Sequence, residues 1–357
     1  MERFGTDKDE KIINNKFIFI SFFCSILVIY IHTFNLETYS INEGAVGIAK
    51  VAYVVETYWT NVLKIAVPMF FFISGILFFR TFEMSKLLQK WYFRIFTIVI
   101  PYGIWCTFYY VYNVLCTNIP QIRLMIGNVD RVPLSLPEWI NWLWNNEYYT
   151  LWFMKNLIVY IALAPIIWVL LKNHIGKIPT GIIAFIILIL CVKNIRHIPY
   201  TNGLEEYLAG CYIGINCRDR LYYQNKRISI LSVVYVIVML VTDFKIWGLG
   251  LELLFFAAVW YAMDIFSVYL QRELPWWMTI GFFTYVAHDI FLEAFEKILW
   301  VVGGNKAILA LMDYIFMPIL VEVLLIGIAY IAMRWFPGVW KVVTGNRGMK
   351  YFKVNDR

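Results

Sequence analysis

The sequence predicts an all-α protein, a polytopic bundle of about ten transmembrane helices, and three observations carry this prediction. Hydrophobic residues make up 61% of the 357 residues and charged residues only 15%, too few to solvate the surface of a soluble domain. The 28 Phe, 24 Tyr and 15 Trp exclude a disordered chain and a small disulfide scaffold. The apolar residues also occur in runs, and about 20 residues suffice to cross a hydrocarbon core.

Ten runs meet or approach this length, although the fifth to the seventh are short. The predicted spans are residues 17–36, 63–82, 91–116, 150–171, 179–192, 203–217, 228–242, 246–265, 276–300 and 308–333. We therefore divide the chain into an N-terminal cytoplasmic segment, residues 1–16, a membrane domain, residues 17–335, and a basic cytoplasmic tail, residues 336–357.

The net charge of +7 is explained by where the cations fall, which is between the apolar runs. With both termini inside, Lys and Arg on the inner connections outnumber those on the outer connections by about two to one. This bias predicts an N-in, C-in protein, and it gives no reason to expect a nucleic-acid partner. The six cysteines lie mostly in apolar runs without metal-ligand spacing, so we expect no metal site and no disulfide.

The first predicted span carries a single polar stripe. Its members fall on one face of a helix, and the other faces are almost wholly apolar; they are Ser21, Ser25, His32 and Asn35. An ionisable side chain within a span usually faces the bundle interior and belongs to a functional path. His32 is therefore either a catalytic or transport residue, or a hydrogen-bonding residue between helices.

The ninth predicted span offers a partner for this histidine. From the inner ends of their spans, His32 and His288 differ in depth by only about 5 Å at 1.5 Å per residue, so the two side chains could meet. His174 and His197 lie in polar connections, and we predict that both are solvated.

Four cations lie between and within the second and third spans, namely Arg80, Lys86, Lys90 and Arg94. They are explained either by the positive-inside rule or by a site for a phosphorylated cytoplasmic substrate, which Arg can bind bidentately. Arg94 is the best candidate for such a site, because Pro101 and Tyr102 follow it and a proline kink could open a cavity there.

Six short segments resemble the acyltransferase 3 family of integral membrane acyltransferases. They are S-I-L-V-I-Y-I-H-T (25–33), V-P-M-F-F-F-I-S-G (67–75), F-R-I-F-T-I-V-I-P-Y-G-I-W (93–105), L-W-F-M-K-N-L (151–157), Y-L-A-G-C-Y-I-G (207–214) and F-T-Y-V-A-H (283–288). The resemblance implies a ten-span bundle that uses a cytoplasmic acyl-CoA to acylate a hydroxyl, often on a cell-envelope glycan at the outer face.

Carried onto this sequence, the first-span histidine of the family falls on His32, and its basic third-span motif falls on Arg94 with Lys90 nearby. Two positions depart from the family. Ser21 stands where a basic residue is common, with Lys16 only a partial substitute, and Trp91 stands three residues before Arg94 in place of a second arginine. Either donor recognition is rearranged, or the chain has moved away from acyl transfer.

The favoured hypothesis is an O-acyltransferase of the plasma membrane, which we expect to be bacterial. Neutral imidazole suits a general base, so we expect His32 to take the acceptor proton, assisted by Asn35 or His288, with Asn35 alternatively binding the oxyanion. Lys90 and Arg94, with Arg80 and Lys86 nearby, would bind acyl-CoA, which we expect to be acetyl-CoA, as a donor substrate rather than as a tightly bound cofactor. The expected partners are the lipid bilayer, the donor and a glycan or lipid-linked acceptor. A transporter and a non-catalytic membrane module are the alternatives.

Overall fold

The structure, a computed structural model, describes residues 6–125, 129–145, 149–172, 180–194, 201–242 and 248–352. His174 and His197 lie outside the described residues. Throughout the described ranges the chain is helical and contains no strand. The α-helices are α1 Asp7–His32, α2 Ile48–Leu63, α3 Ala66–Phe79, α4 Leu87–Arg94, α5 Ile100–Asn118, α6 Pro120–Met125, α7 Leu136–Asn145, α8 Trp152–Ala162, α9 Ala164–Leu171, α10 Thr180–Asn194, α11 Leu204–Asn216, α12 Lys226–Val241, α13 Leu249–Ala262, α14 Ser267–Leu270, α15 Gly281–Gly303, α16 Ala307–Trp335 and α17 Pro337–Thr344.

Several helical stretches are long and apolar enough to cross a membrane. Among the described residues there are five, or six if the bent pair α8 and α9 counts as one span; the five are Asp7–His32, Ile48–Phe79, Met84–Asn118, Leu249–Leu270 and Ala307–Trp335. The protein is therefore a multi-pass helical membrane protein, while the number of ten spans and the N-in, C-in orientation stay predictions.

Helix α1 begins well before the predicted start of the first span. A capping box defines this start, because Thr6 accepts a hydrogen bond from the backbone of Asp9 while the Asp9 carboxylate accepts from the backbone of Thr6. Lys16 is buried on this helix and pairs with Asp264 at 2.6 Å. It also donates to the carbonyl of Trp260 at 3.1 Å, so Lys16 is held by the last turn of α13 and by the residues just after it.

Two predicted spans are irregular helices, and a proline lies at or next to each irregularity. The third includes a π-helical turn, Ile95–Val99, between α4 and α5, and Pro101 follows this turn. The fourth bends by 63° between α8 and α9, where Pro165 occupies the first turn of α9 and has no N–H to continue the helix. The π turn directly follows Arg94, one of the predicted donor-binding residues.

Helices α3 and α11 pack against each other through glycine. A Cβ atom at Gly75 would lie 2.4 Å from the carbonyl oxygen of Tyr207, and one at Gly210 would lie 2.0 Å from that of Phe72. Only a residue without a side chain allows backbones to come this close, which is a common device in membrane bundles. The contact fixes α3 beside α11, with Phe71 and Tyr207 buried near it.

The segment after α16 folds back onto the bundle. Trp340 of α17 is 1% exposed, stacks on Phe283 with ring centroids 4.9 Å apart, and donates to the carbonyl of Arg347 at 2.8 Å. Trp105 of α5 donates to the carbonyl of Val343 at 3.0 Å. Residues 337–352, predicted only as a basic tail, are thus packed against α5 and α15.

Candidate active site

Two features of the bundle form the candidate site, a cavity and a pair of histidines. The cavity has a volume of about 590 Å³ and is lined mainly by apolar side chains. Its charged lining is entirely basic in the described part of the chain, and consists of Arg94, Arg347 and Lys350. An apolar cavity with cations at one end can accept a long, partly apolar molecule that carries a negatively charged group.

Arg94 extends into this cavity from the end of α4. Its guanidinium carbon lies 5.6 Å from the centre of the Phe78 ring, and it forms no ion pair with any described carboxylate. The π turn that follows Arg94 and precedes Pro101 lies where the sequence predicted a proline kink, and the kink itself stays a prediction. A cation without an anionic neighbour in a partly buried position favours an anionic ligand.

The other three predicted donor-binding residues lie elsewhere and bind protein groups. Lys90 donates to the carbonyl of Phe78 at 2.7 Å and to Thr81 at 3.0 Å. Arg80 donates to Asn14 at 2.7 Å, and Lys86 pairs with Glu83 at 2.8 Å. The structure therefore brings Arg94 alone of the four into the lining of the cavity.

The predicted polar stripe of α1 connects the cavity with the histidines. Ser21 lines the cavity, and Ser25 is buried and donates to the carbonyl of Phe22 at 2.7 Å. A Cβ atom at Gly281 of α15 would lie 3.2 Å from the Ser25 hydroxyl, so α1 and α15 are closely packed here. Seven residues farther along each helix, His32 and His288 face each other with ring centroids 5.2 Å apart.

This equal spacing means that α1 and α15 run in the same direction, and that the histidines lie about 10 Å beyond the contact of Ser25 with Gly281. The cavity reaches Tyr285, which is one helical turn before His288. Neither His32 nor His288 lines the cavity itself.

The two histidines differ in their surroundings. His288 is completely buried, and its Nδ1 lies 3.1 Å from the carbonyl oxygen of Thr284 and 2.9 Å from that of Tyr285. A carbonyl oxygen can only accept, so Nδ1 carries the proton and Nε2 keeps a lone pair, which has no partner among the described residues. His32 is half-buried and is therefore the ring that a substrate can reach.

Asn35 lies one turn beyond His32 and is directed at α16. Its side-chain amide donates to Asp313 at 2.8 Å, and its backbone N–H donates to Glu56 at 3.2 Å. All three side chains are buried. Asn35 thus ties the end of α1 to α2 and α16 beside the histidine pair.

A small cation could also be held at the histidines. His32, His288 and Asp289 each bring one potential ligand atom to within 4.8 Å of the others. Imidazole and carboxylate ligands suit a divalent metal such as Zn²⁺, and the Nε2 lone pair of His288 is directed away from its backbone partners. We predicted no metal from the cysteine pattern, and this group involves none of the cysteines.

A family model described as an acyltransferase domain matches residues 18–336, which is nearly the whole chain. The chain belongs to this acyltransferase family. No curated protein and no solved structure matches it.

Within this acyltransferase domain, the site includes residues that the sequence did not reveal. Asp313 and Glu322 interrupt the apolar run of α16, and that placement was a usable signal, because carboxylates are costly within a span. Glu322 accepts from Thr284, the residue whose carbonyl lies beside His288. Arg347 follows the matched region in a polar segment without periodicity, so no sequence pattern connected it with the cavity.

Proposed function

We propose that the protein is an O-acyltransferase that moves an acyl group, most simply acetyl, from cytoplasmic acyl-CoA to a hydroxyl of a cell-envelope glycan or related acceptor. The observation that supports this most is the arrangement of the cavity. Its basic end can bind phosphates, its apolar body can hold a pantetheine arm, and it extends to within one helical turn of His288. Membership of the acyltransferase family supports the reaction class.

In this proposal Arg94 binds the donor phosphates, and the thioester reaches the histidine pair through the cavity. The apolar lining excludes water, which would otherwise hydrolyse the thioester. Lys90 does not line the cavity and is fixed by the carbonyl of Phe78, so we assign it no direct contact with the donor.

His32 is the proposed general base, because it is the more accessible of the two rings. Its imidazole removes the proton of the acceptor hydroxyl as the oxygen attacks the thioester carbonyl carbon. The carbon–sulfur bond then breaks, the ester forms, and the proton passes to the departing CoA thiolate. The tautomer of His288 is fixed by two carbonyl groups, and its ring centre lies 5.2 Å from that of His32. In this proposal His288 therefore positions the His32 ring.

We assign Asn35 a positioning role rather than an oxyanion role. Its amide already donates to Asp313, and the carboxylate would compete with a developing oxyanion for the same N–H. Through Asp313 and Glu56 it holds the end of α1 against two other helices. Of the predicted polar stripe, Ser21 lines the cavity and would contact the donor, whereas Ser25 is fully buried between α1 and α15 and does not line it.

The test is acyl transfer by the purified full chain in nanodiscs, with acetyl-CoA and a panel of soluble glycans. We expect thioester cleavage that depends on an acceptor, and a loss of about 100-fold or more in His32→Ala, which is typical for removal of a general base. Phe34→Leu is the matched control, because Phe34 lies two residues away on the exposed surface of the bundle.

Two results would contradict the proposal. Full transfer by a normally folded His32→Ala protein would remove the assignment of the base. Flux of a small molecule across vesicles by a wild-type protein that neither binds nor cleaves acyl-CoA would favour the transporter instead.

A further inference from the structure

The cavity lacks a cation on α1, although α1 forms one of its walls. Ser21 faces the cavity with a hydroxyl group, and Lys16 is held in its buried pair with Asp264. Lys16 is only 1% exposed and does not line the cavity. Any second cation for a phosphorylated ligand must therefore come from another part of the chain.

Arg347 is such a cation, and the π turn explains why it lies in the cavity. Pro101 has no N–H to donate to the carbonyl of Thr97, four residues earlier, and this carbonyl accepts a hydrogen bond from Nη1 of Arg347 at 2.6 Å. The same Nη1 donates to the carbonyl of Thr344 at 2.7 Å. The guanidinium also lies flat enough against Phe282 to place its carbon 4.0 Å from the ring centre.

The backbone before Arg347 is shaped for this close approach. Gly345 has a φ of +63°, and a Cβ atom there would lie 2.6 Å from Cα of Thr97. A side chain at this position would push the segment away from the π turn, so glycine is required both for conformation and for space. Arg347 is thus held at a defined place by the packing of its own segment.

Both arginines retain unused hydrogen-bonding capacity toward the cavity. Beyond the two bonds of Nη1, Arg347 donates to no other group in the described ranges, and Arg94 forms no hydrogen bond or ion pair there. Burial, and next the charge of Arg94, lower the pKa of Arg347 to about 9, so it remains protonated at neutral pH. Two like charges in one partly buried space are unfavourable unless an anion bridges them.

We propose that Arg347 and Arg94 together bind the diphosphate of the acyl-CoA donor, so that the segment after α17 replaces the cation missing from α1. This inference rests on the proposed function. A diphosphate carries at least two negative charges, and planar guanidinium groups bind phosphate oxygens in bidentate fashion. Lys350, exposed at the same end of the cavity, adds a third positive charge.

The experiment compares binding of CoA with binding of acetyl-pantetheine, which has no phosphate, to the full chain in nanodiscs of neutral lipid. Arg347→Gln should weaken CoA binding about 10-fold to 100-fold, the usual loss for a charge-assisted bidentate contact, and leave acetyl-pantetheine binding unchanged. Lys341→Gln, which removes an exposed cation from α17, is the matched control and should bind CoA like the wild type.

A double variant that moves the positive charge to α1 distinguishes a role of Arg347 in ligand binding from a structural role. Ser21 lines the same cavity, so Ser21→Arg in the Arg347→Gln background should restore most of the CoA affinity without restoring the bond to Thr97. Arg347→Lys keeps the positive charge but lacks the planar guanidinium group that binds phosphate in bidentate fashion, so it should bind CoA with intermediate affinity. The unfolding temperature of each variant without ligand reports whether the segment remains packed.

The outcomes distinguish this inference from the proposed function. If the wild type binds CoA and Arg347→Gln binds it equally well, the role of Arg347 is wrong and the acyltransferase stands. If the wild type binds neither CoA nor acetyl-pantetheine, both proposals fail. The same variants are also compared in nanodiscs with added anionic lipid. If Arg347→Gln leaves CoA binding unchanged and alters only the effect of anionic lipid on stability, the two arginines bind a lipid phosphate, and the inference is overturned.

Discussion

At the scale of single residues, the charged side chains inside the bundle differ in whether they form an ion pair within the protein. Lys16 and Asp264 satisfy each other at 2.6 Å, with side chains 1% and 6% exposed. Arg94 has no such partner in the described chain and faces the cavity. A buried cation that is paired contributes to folding, whereas one that is left unpaired beside a cavity is available for a ligand.

The pair of Lys16 and Asp264 predicts a large, partner-dependent effect on stability. Lys16→Met should destabilise the protein by about 3–5 kcal/mol, because Asp264 is left as a buried, unpaired charge. The double variant Lys16→Met with Asp264→Leu should recover most of this loss. Thermal unfolding in detergent measures both, and Lys86→Met is the control, since its pair with Glu83 is exposed to solvent and contributes little to stability.

The same variants check that Lys16 has no part in donor binding. The double variant should bind CoA with wild-type affinity, because Lys16 does not line the cavity. A loss of CoA affinity in a stably folded double variant would mean that Lys16 leaves Asp264 when the donor binds.

At the scale of helices, close backbone contacts and local breaks set the geometry of the site. Glycines bring α3 and α11 together, and a π turn followed by Pro101 separates α4 from α5 beside Arg94. The glycines lack a side chain, and the backbone of the facing helix occupies the space that remains. Pro101 lacks an N–H, and the carbonyl of Thr97 instead accepts a hydrogen bond from Arg347.

The glycine contact gives a prediction with an internal control. Gly210→Ala should destabilise the protein by about 1–3 kcal/mol or more, because its Cβ atom would lie 2.0 Å from the carbonyl oxygen of Phe72 and the helices must move apart. Gly327→Ala makes the same chemical change in α16, where a Cβ atom would meet nothing within 4 Å. It should leave the unfolding temperature unchanged or raise it slightly. Equal effects of the two substitutions would show that the packing of α3 on α11 is not specific.

The sequence predicted the helices better than their interruptions. Apolar runs are a property of local composition, so α13 and α16 were recognised close to their observed positions, whereas α1 begins at Asp7, well before the predicted start of its span. The 63° bend between α8 and α9 was missed, although Pro165 was visible, because proline within an apolar run is compatible with either a straight or a broken span.

At the scale of the whole molecule, the candidate site is assembled from parts that are far apart in the sequence. Depth along two spans was enough to bring His32 near His288, since helices rise by a constant amount per residue. The place of Arg347 could not be predicted in this way. It depends on a glycine turn, a free carbonyl in α5 and the burial of Trp340, none of which leaves a periodic pattern in its own segment.

Trp340 is therefore predicted to hold the last described segment in place. Trp340→Ala should lower stability by about 3–5 kcal/mol, the usual cost of removing a buried tryptophan, and should expose residues 337–352 to protease. Trp335→Ala, at a position that is 71% exposed, should change stability by less than about 0.5 kcal/mol. Limited proteolysis followed by mass spectrometry locates the cleavage, and an uncleaved Trp340→Ala protein would contradict the role of this side chain.

The wide sequence range of the cavity lining, from Asn14 to Tyr351, also has a consequence for biosynthesis. A ribosome releases the residues of α1 early and those around Arg347 only after more than three hundred further residues have been added. The basic end of the cavity therefore cannot close until translation of this region is complete. Incomplete chains that end between His288 and Arg347 would therefore hold both histidines without the basic end of the cavity.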